Sequence, residues 1–256
     1  MDAIVELENV SVAYAGSPDL AVRDVSLSVE PGQFVCLVGP SGSGKTSLLK
    51  TINRLAEPAA GNVRIEGRDI GQYPPHELRR RIGYAFQNIG LFPHMSVRDN
   101  IGVTLSLLGW PRRKIDARVE KLVDLVALPR PYLDRAPAAL SGGEKQRVGV
   151  ARALAAEPKI VIMDEAFGAL DPVTREALGE RYRDLHRQFG VTTLMVTHDL
   201  QEAALLADRI VVLRKGEIVA DGAPRVLLRS GQADAMFAAA LRQARGMNAL
   251  LDGRPA

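Results

Sequence analysis

The chain has 256 residues, enough for one large domain or two small ones with a substantial core. A net charge of +3, with 25% charged and 46% apolar residues, is ordinary for a soluble globular protein and by itself names no partner. One cysteine, Cys36, excludes an internal disulfide and points to a reducing compartment, and no apolar run reaches the ~18–20 residues of a membrane-spanning helix.

The opening "MDAIVELENV" has neither a basic start nor an apolar segment, so no signal peptide is expected. "AIVELENVSVAY", "AVRDVSLSVE" and "QFVCLVG" are β-rich and broken by Gly, Pro and Asp; they predict three strands within residues 3–38. Cys36 sits in the third and reads as a small core residue. Residues 45–56 change to helical spacing, with Leu48, Leu49, Ile52 and Leu55 apolar. "GNVRIEG" and "RIGYAFQ" predict further strands. From about 90 to 156 the pattern is mostly helical, punctuated by Pro93, Pro111, Pro129, Pro131 and Pro137. The basic clusters Arg79-Arg80-Arg81 and Arg112-Arg113-Lys114 read as solvated helix ends; neither is interleaved with aromatics, so no nucleic-acid partner is expected.

"KIVIMD" and "VTTLMV" are short apolar runs suited to parallel strands buried on both faces. Between them Asp171 is a candidate N-cap, Pro172 fits the first turn and Gly190 can end the helix. "RIVVLRKGEIVADG" predicts a hairpin around Lys215-Gly216, and "ADAMFAAALRQA" a short helix within a loose tail. The layout is a single domain over 1–230: an α/β core at 1–88 and 157–225, a helical insertion at 89–156, and a tail at 231–256.

Two glycine-rich stretches carry the chemistry. "GPSGSGKTS" fills G-x-x-x-x-G-K-[ST] between an apolar strand and a helix, the context a phosphate loop needs. Gly39, Pro40, Ser41, Gly42, Ser43, Gly44 and Ser47 form the cradle, Lys45 is a point charge for the β- and γ-phosphates, and the Thr46 hydroxyl suits Mg²⁺. "IVIMDEAFGALD" adds Asp164, a strand-end carboxylate for Mg²⁺, and Glu165, a candidate general base. Gln87 ends another strand, where its amide oxygen can ligate Mg²⁺ or orient water. His198 in "MVTHD" is either a polar turn residue or a member of the site at the sheet's C-terminal edge. His76, His94 and His186 show no metal-ligand spacing.

The second stretch, "LSGGEKQR", opens a helix at Ser141-Gly142-Gly143. With a phosphate loop before it and "IVIMDE" after it, the chain over residues 3–225 resembles the ATP-binding subunit of an ABC (ATP-binding cassette) transporter. That resemblance implies a P-loop NTPase core with a mostly parallel sheet, an antiparallel β subdomain and an inserted α-helical subdomain. It implies a head-to-tail homodimer in which Ser141, Gly142 and Gly143 of one copy close on ATP held by the other. It makes Tyr14 the aromatic that stacks on adenine, although a strand-end tyrosine is an equal reading of the residue alone. It makes Gln87 the sensor of Mg²⁺ and ATP, His198 the switch at the γ-phosphate, and Asp171 an interface residue as well as an N-cap. Ala166 stands where many relatives have proline, which should alter a turn rather than the chemistry.

"IGLFPHM" with "MDEAFGALDPVTR" resembles importers of osmoprotectants such as glycine betaine, choline or carnitine. Leu91, Phe92, Pro93 and Met95 would receive a helix of a permease subunit, pack the insertion onto the core, or both. The expected partners are therefore permease subunits and, indirectly, a substrate-binding protein, at the cytoplasmic face of a bacterial plasma membrane. Paired regulatory CBS domains, found in many such relatives, are not expected here. Amino-acid, polyamine or sulfonate import stays open as the alternative. A soluble ATPase acting on DNA or ribosomes is disfavoured by the single cassette and short insertion, and a module that binds ATP without turnover by Glu165 and His198.

Overall fold

The structure, a computed structural model, describes residues 2–16 and 18–229. The expected tail at 231–256 lies outside the described residues. The chain begins with two long strands, β1 (Val5–Ala13) and β2 (Leu20–Val29), and a short apolar one, β3 (Phe34–Val38). Helix α1 (Lys45–Ile52) follows, then β4 (Ala60–Ile65), β5 (Arg68–Asp69), α2 (Pro75–Arg81) and β6 (Ile82–Ala85). Next come α3 (Val97–Leu107), α4 (Arg112–Leu125) and α5 (Gly142–Leu154), then β7 (Ile160–Asp164), α6 (Pro172–Phe189), β8 (Thr192–Val196) and α7 (Leu200–Leu206). The hairpin β9 (Arg209–Arg214) and β10 (Glu217–Gly222) and helix α8 (Pro224–Arg229) complete the described part.

Among the described residues the strands form two sheets. An antiparallel sheet has the order β2-β1-β4-β5, and a six-stranded sheet has the order β10-β9-β3-β8-β7-β6. In the larger sheet β9, β3, β8, β7 and β6 are parallel and only β10 runs against its neighbour. Every residue of β3, β6, β7 and β8 is buried, as expected for strands covered on both faces. The faces alternate with the two-residue period of a strand: Phe34, Cys36 and Val38 join one apolar cluster, and Val35 and Leu37 join the other. The first cluster holds the inner faces of α3, α4, α5 and α6; the second packs the sheet on α1 and the antiparallel sheet. Each fully buried aliphatic side chain contributes about 1.5–3 kcal/mol, so these clusters dominate the fold's stability.

Helix boundaries follow local chemistry. Ser96 caps α3 by accepting the Asp99 N–H, and Asp171 caps α6 by accepting the Thr174 N–H. Pro172 occupies the first turn of α6 and Gly190 ends it in the left-handed region at φ 61°. The hairpin turn at Lys215-Gly216 has φ 51° and 85°, the positive pair of a tight two-residue turn. Helix α1 is shorter than its apolar spacing predicts. It stops at Ile52, and Leu55 lies beyond it, exposed, because Leu55 and Ala56 both return their N–H groups to Lys50 O. Helix α7, too short for a periodic signal, has no counterpart in the sequence reading, and of α2 only the basic end does. The Arg79–Arg81 cluster does end a helix, but Arg79 is more than solvated: its guanidinium bonds Asn53 O and Arg54 O.

Candidate functional site

The loops of interest all leave the same edge of the large sheet. Adjacent strands β3, β8, β7 and β6 run parallel, and register pairs Leu37 with Val196, Asp164 with Val196, and Ala85 with Met163. Their C-terminal ends are therefore level. The glycine-rich loop leaves β3, Gln87 follows β6, Asp164 and Glu165 end β7, and His198 follows β8. In open parallel sheets this edge is where ligands bind.

The loop from Gly39 to Gly44 folds around its own lysine. Lys45 is buried, and its ammonium donates to Gly39 O at 2.8 Å, Pro40 O at 2.9 Å and Ser43 Oγ at 3.4 Å. Burial lowers its pKa, while the nearby Glu165 and Asp164 carboxylates oppose that shift. Gly44 precedes α1 at φ 98°, and a Cβ there would stand 2.2 Å from Ala21 O, so the position requires glycine on two counts. No side chain caps α1, and its first turn has no acidic residue. Its first N–H groups and the Lys45 ammonium thus form an uncapped, positively polarised end, which fits a phosphate. Tyr14, half exposed at the end of β1, donates its hydroxyl to Ser47 Oγ at 3.1 Å and so lies beside this loop.

The acidic side is equally ordered. Thr46 Oγ1 donates to Asp164 Oδ1 at 2.8 Å, and the Tyr84 hydroxyl reaches Asp164 Oδ2 at 3.5 Å. Burial raises the Asp164 pKa, and the hydrogen bond from Thr46 partly offsets it; burial likewise pushes the Tyr84 phenol well up. Glu165 has φ 49°, rare for a residue with a Cβ. It is held there because its N–H donates to Val196 O at 3.0 Å and its carbonyl faces Gln146 Nε2 at 3.5 Å. Its Oε2 accepts from Gln87 Nε2 at 3.0 Å and stands 3.6 Å from His198 Nδ1. A hydroxyl and a carboxylate therefore meet next to Lys45, with the Gln87 amide on the neighbouring Glu165, and these hard oxygen-bearing groups suit Mg²⁺ with phosphate and water completing its shell.

The other sequence-predicted residues lie elsewhere. Ser141, Gly142, Gly143 and Asp171, with Arg147 and Thr174, line a separate cavity of about 380 Å³ that no residue of the 39–47 loop borders. Ser141 and Glu144 form a reciprocal capping box: Ser141 Oγ accepts the Glu144 N–H at 3.3 Å and the Glu144 carboxylate accepts the Ser141 N–H at 2.7 Å. That backbone donation holds the Glu144 carboxyl below its usual range. The donors left at this helix start are thus the N–H groups of Gly142 and Gly143. Sequence reasoning missed Gln146, whose Oε1 also accepts the Ala169 N–H at 2.8 Å, and Arg175, Asp199 and Tyr84. Gln146 and Arg175 sat inside stretches already singled out, but their partners come from other segments, which no spacing rule reveals.

A profile of the family described as "ABC transporter" matches residues 22–168, more than half of the chain. The chain belongs to the ABC transporter family. Among relatives of this cassette is the glycine betaine/carnitine/choline transport ATP-binding protein OpuCA of Bacillus subtilis (strain 168), 50% identical over 227 residues, covering 89% of this chain and 60% of the relative. The choline transport ATP-binding protein OpuBA of the same organism is also 50% identical, over 89% of this chain and 59% of its own length. The glycine betaine uptake system ATP-binding protein YehX of Escherichia coli (strain K12) is 48% identical over 88% of this chain and 72% of its own. The cassette thus spans about 60% of the length of the first two relatives. Among solved structures, the dimeric post-hydrolysis state of the ATP-binding cassette MJ0796, bound to ADP and Pi, superposes with a TM-score of 0.81 at 31% identity, covering 86% of this chain and 99% of that one. The expected fold class holds: a mostly parallel core sheet, an antiparallel β layer and inserted helices.

Proposed function

We propose that this chain is the ATP-hydrolysing subunit of an importer, acting as a head-to-tail homodimer that drives a separate permease for osmoprotectants of the glycine betaine, choline and carnitine class. The single observation that carries the dimer is the separation of two half-sites. Lys45, Thr46, Gln87, Asp164, Glu165 and His198 gather at one place, while Ser141, Gly142, Gly143 and Asp171 border a different cavity that the 39–47 loop does not reach. A second copy would bring its Gly142 and Gly143 N–H groups to a phosphate held by the first. The names of the three relatives support the solute class.

In this reading the 39–47 loop and Lys45 hold the β- and γ-phosphates and Tyr14 stacks on the base. Thr46, Asp164 and Gln87 would hold Mg²⁺, which, when bound, offsets phosphate charge. Glu165 takes a proton from the attacking water, because its carboxylate is partly open to solvent and is oriented by Gln87. His198, next to Glu165, donates to the γ-phosphate. Removal of that phosphate weakens the attraction between copies, which converts hydrolysis into opening.

A groove of about 320 Å³ supports the permease partner. Leu55, Phe86, Phe92 and Leu107 line it and stay exposed, with Arg79 and Arg152 at its polar side. In the "LFPHM" turn Leu91 packs on the core cluster and Phe92 lines the groove. The buried Asn100 clasps the turn through Phe92 O, Met95 O and Ser96 O. Among the described residues no helix is long and apolar enough to cross a membrane, so in this reading the cassette sits peripherally on the permease at the cytoplasmic face. The domain division proposed is one domain at 1–230, with 89–156 as the helical insertion packed through α3 on α4 and α5.

The test is Glu165→Gln, which keeps the side chain's shape and removes the base. With Mg-ATP this variant should elute as a dimer on size exclusion and the unsubstituted chain mostly as a monomer. A variant that stays monomeric at saturating Mg-ATP refutes the dimer mechanism.

A further inference from the structure

Inside one copy a single side chain bridges the segment that borders the second cavity and the loop that carries His198. Arg175, in the first turn of α6, donates through Nη1 to Asp199 Oδ2 at 2.9 Å. Through Nη2 it donates to Leu170 O at 3.0 Å and faces Gly168 O at 3.5 Å, and its own N–H donates to Asp171 O at 2.9 Å. The guanidinium thus holds the 168–171 segment at Leu170 O and faces Gly168 O, while the bond to Asp171 O is the ordinary first-turn bond of α6. Next to Arg175, Thr174 borders the cavity shared with Ser141 and Asp171.

Asp199 is just as firmly held. Its Oδ1 accepts the Gln201 N–H at 2.9 Å and the Glu202 N–H at 3.2 Å, capping α7, and its N–H donates to Thr197 Oγ1 at 2.9 Å. His198 lies between these anchored neighbours, so its loop moves with the Asp199 carboxylate. The Arg175–Asp199 ion pair has side-chain exposures of 23% and 28%, so it is shielded from water more than an ordinary surface pair. The Arg175 Nε is buried without a hydrogen-bond partner.

We propose that Arg175 is a positioning residue that locks the segment ending in Asp171 to the loop carrying His198, so that docking of a second copy against Asp171 is transmitted to His198 beside Glu165. This rests on the dimeric ATPase reading above. The coupling is a rigid link: two loops from neighbouring strands share one guanidinium, and neither can shift without moving or breaking the ion pair.

Two substitutions test it. Arg175→Gln removes the charge but can still donate to a carbonyl; Asp199→Asn removes the charge but keeps an oxygen to cap α7. Amide hydrogen exchange on the unliganded protein should speed up about threefold or more at 166–171 and 197–203 in Arg175→Gln, with residues 45–52 unchanged. In steady-state ATP hydrolysis, kcat should fall about tenfold or more in each variant with KM for ATP within about twofold, and the double variant should be no worse than either single one. Arg175→Lys, which keeps the pair with Asp199 but loses the fork, should recover part of kcat. The proposal is overturned if exchange at 197–203 in Arg175→Gln matches the parent, if the kcat losses multiply in the double variant, or if only KM changes. A parent protein without ATP turnover would instead defeat the ATPase reading, and the exchange measurement would still decide the link.

Discussion

The Thr46 hydroxyl donates to the Asp164 carboxylate at 2.8 Å, tying together residues 118 positions apart in sequence. The bond closes the gap between the first turn of α1 and the end of β7, and it presets a hydroxyl and a carboxylate side by side before any cation arrives. Asp164→Asn keeps the size but loses the charge that a divalent ion needs. Mg²⁺-dependent ATP turnover should fall by about 100-fold or more, with thermal stability equal to or above the parent's because a buried charge has been removed. Parallel activity and melting measurements check this; retained turnover would remove Asp164 from the site.

Gly44→Ala tests the backbone of the phosphate loop. The new Cβ would meet Ala21 O at 2.2 Å, at a φ of 98° that alanine rarely adopts. Backbone on both sides leaves little room to yield, so the expected loss is about 2–4 kcal/mol in urea unfolding. Gly42→Ala is the control. Its Cβ direction is open, so only the strain of φ 77° applies and the loss should be about 1 kcal/mol.

The capping box predicts a smaller effect. Ser141→Ala removes the acceptor for the Glu144 N–H and should cost about 1 kcal/mol of stability. Glu144→Gln keeps an oxygen for the Ser141 N–H and should cost less. Urea midpoints of the two variants, compared with the parent, decide the order.

Two buried titratable groups set opposite pH trends. Burial pushes the Glu202 carboxyl up to about 7 from the usual 4.5, and its Oε1 is buried without a hydrogen-bond partner. Between those values the native protein holds a proton that the unfolded chain has lost, so this contribution to stability falls as pH rises from 4.5 to about 7. Burial also pushes His186 down to about 4 from the usual 6.5, so the unfolded chain binds the extra proton and stability falls as pH drops from 6.5 toward about 4. Each effect is on the order of 3 kcal/mol at full extent, and across the shared window the two oppose each other. Relative to the parent, Glu202→Gln should therefore lose stability on going from pH 6.5 to 5, and His186→Asn should gain it. Denaturant unfolding at several pH values checks both signs; parallel profiles for variants and parent would contradict them.

The sequence alone was enough for local elements and local chemistry. The phosphate-loop spacing, the buried runs "KIVIMD" and "VTTLMV", the cap at Asp171, the stop at Gly190 and the hairpin at Lys215-Gly216 all depend on neighbours a few residues away, and such patterns are written directly into the chain. The short helix α7 was not legible, and of α2 only the basic end was, because seven residues hold too few turns to show a period. The overextended reading of α1 has a similar cause: Leu55 continues the apolar spacing, while the hydrogen bonds to Lys50 O end the helix.

Only the tertiary structure decided which candidates meet. Strand order brings the ends of β3, β8, β7 and β6 to one level, and this puts Gln87 and His198 against Glu165 and the Asp164 and Glu165 carboxylates near Lys45. The same packing sends Ser141 and Asp171 to a different cavity, and it joins Arg175 to Asp199 across two loops. The physical reason is that strand pairing and side-chain packing act between residues far apart in sequence, where a motif fixes the type of chemistry but not its neighbours.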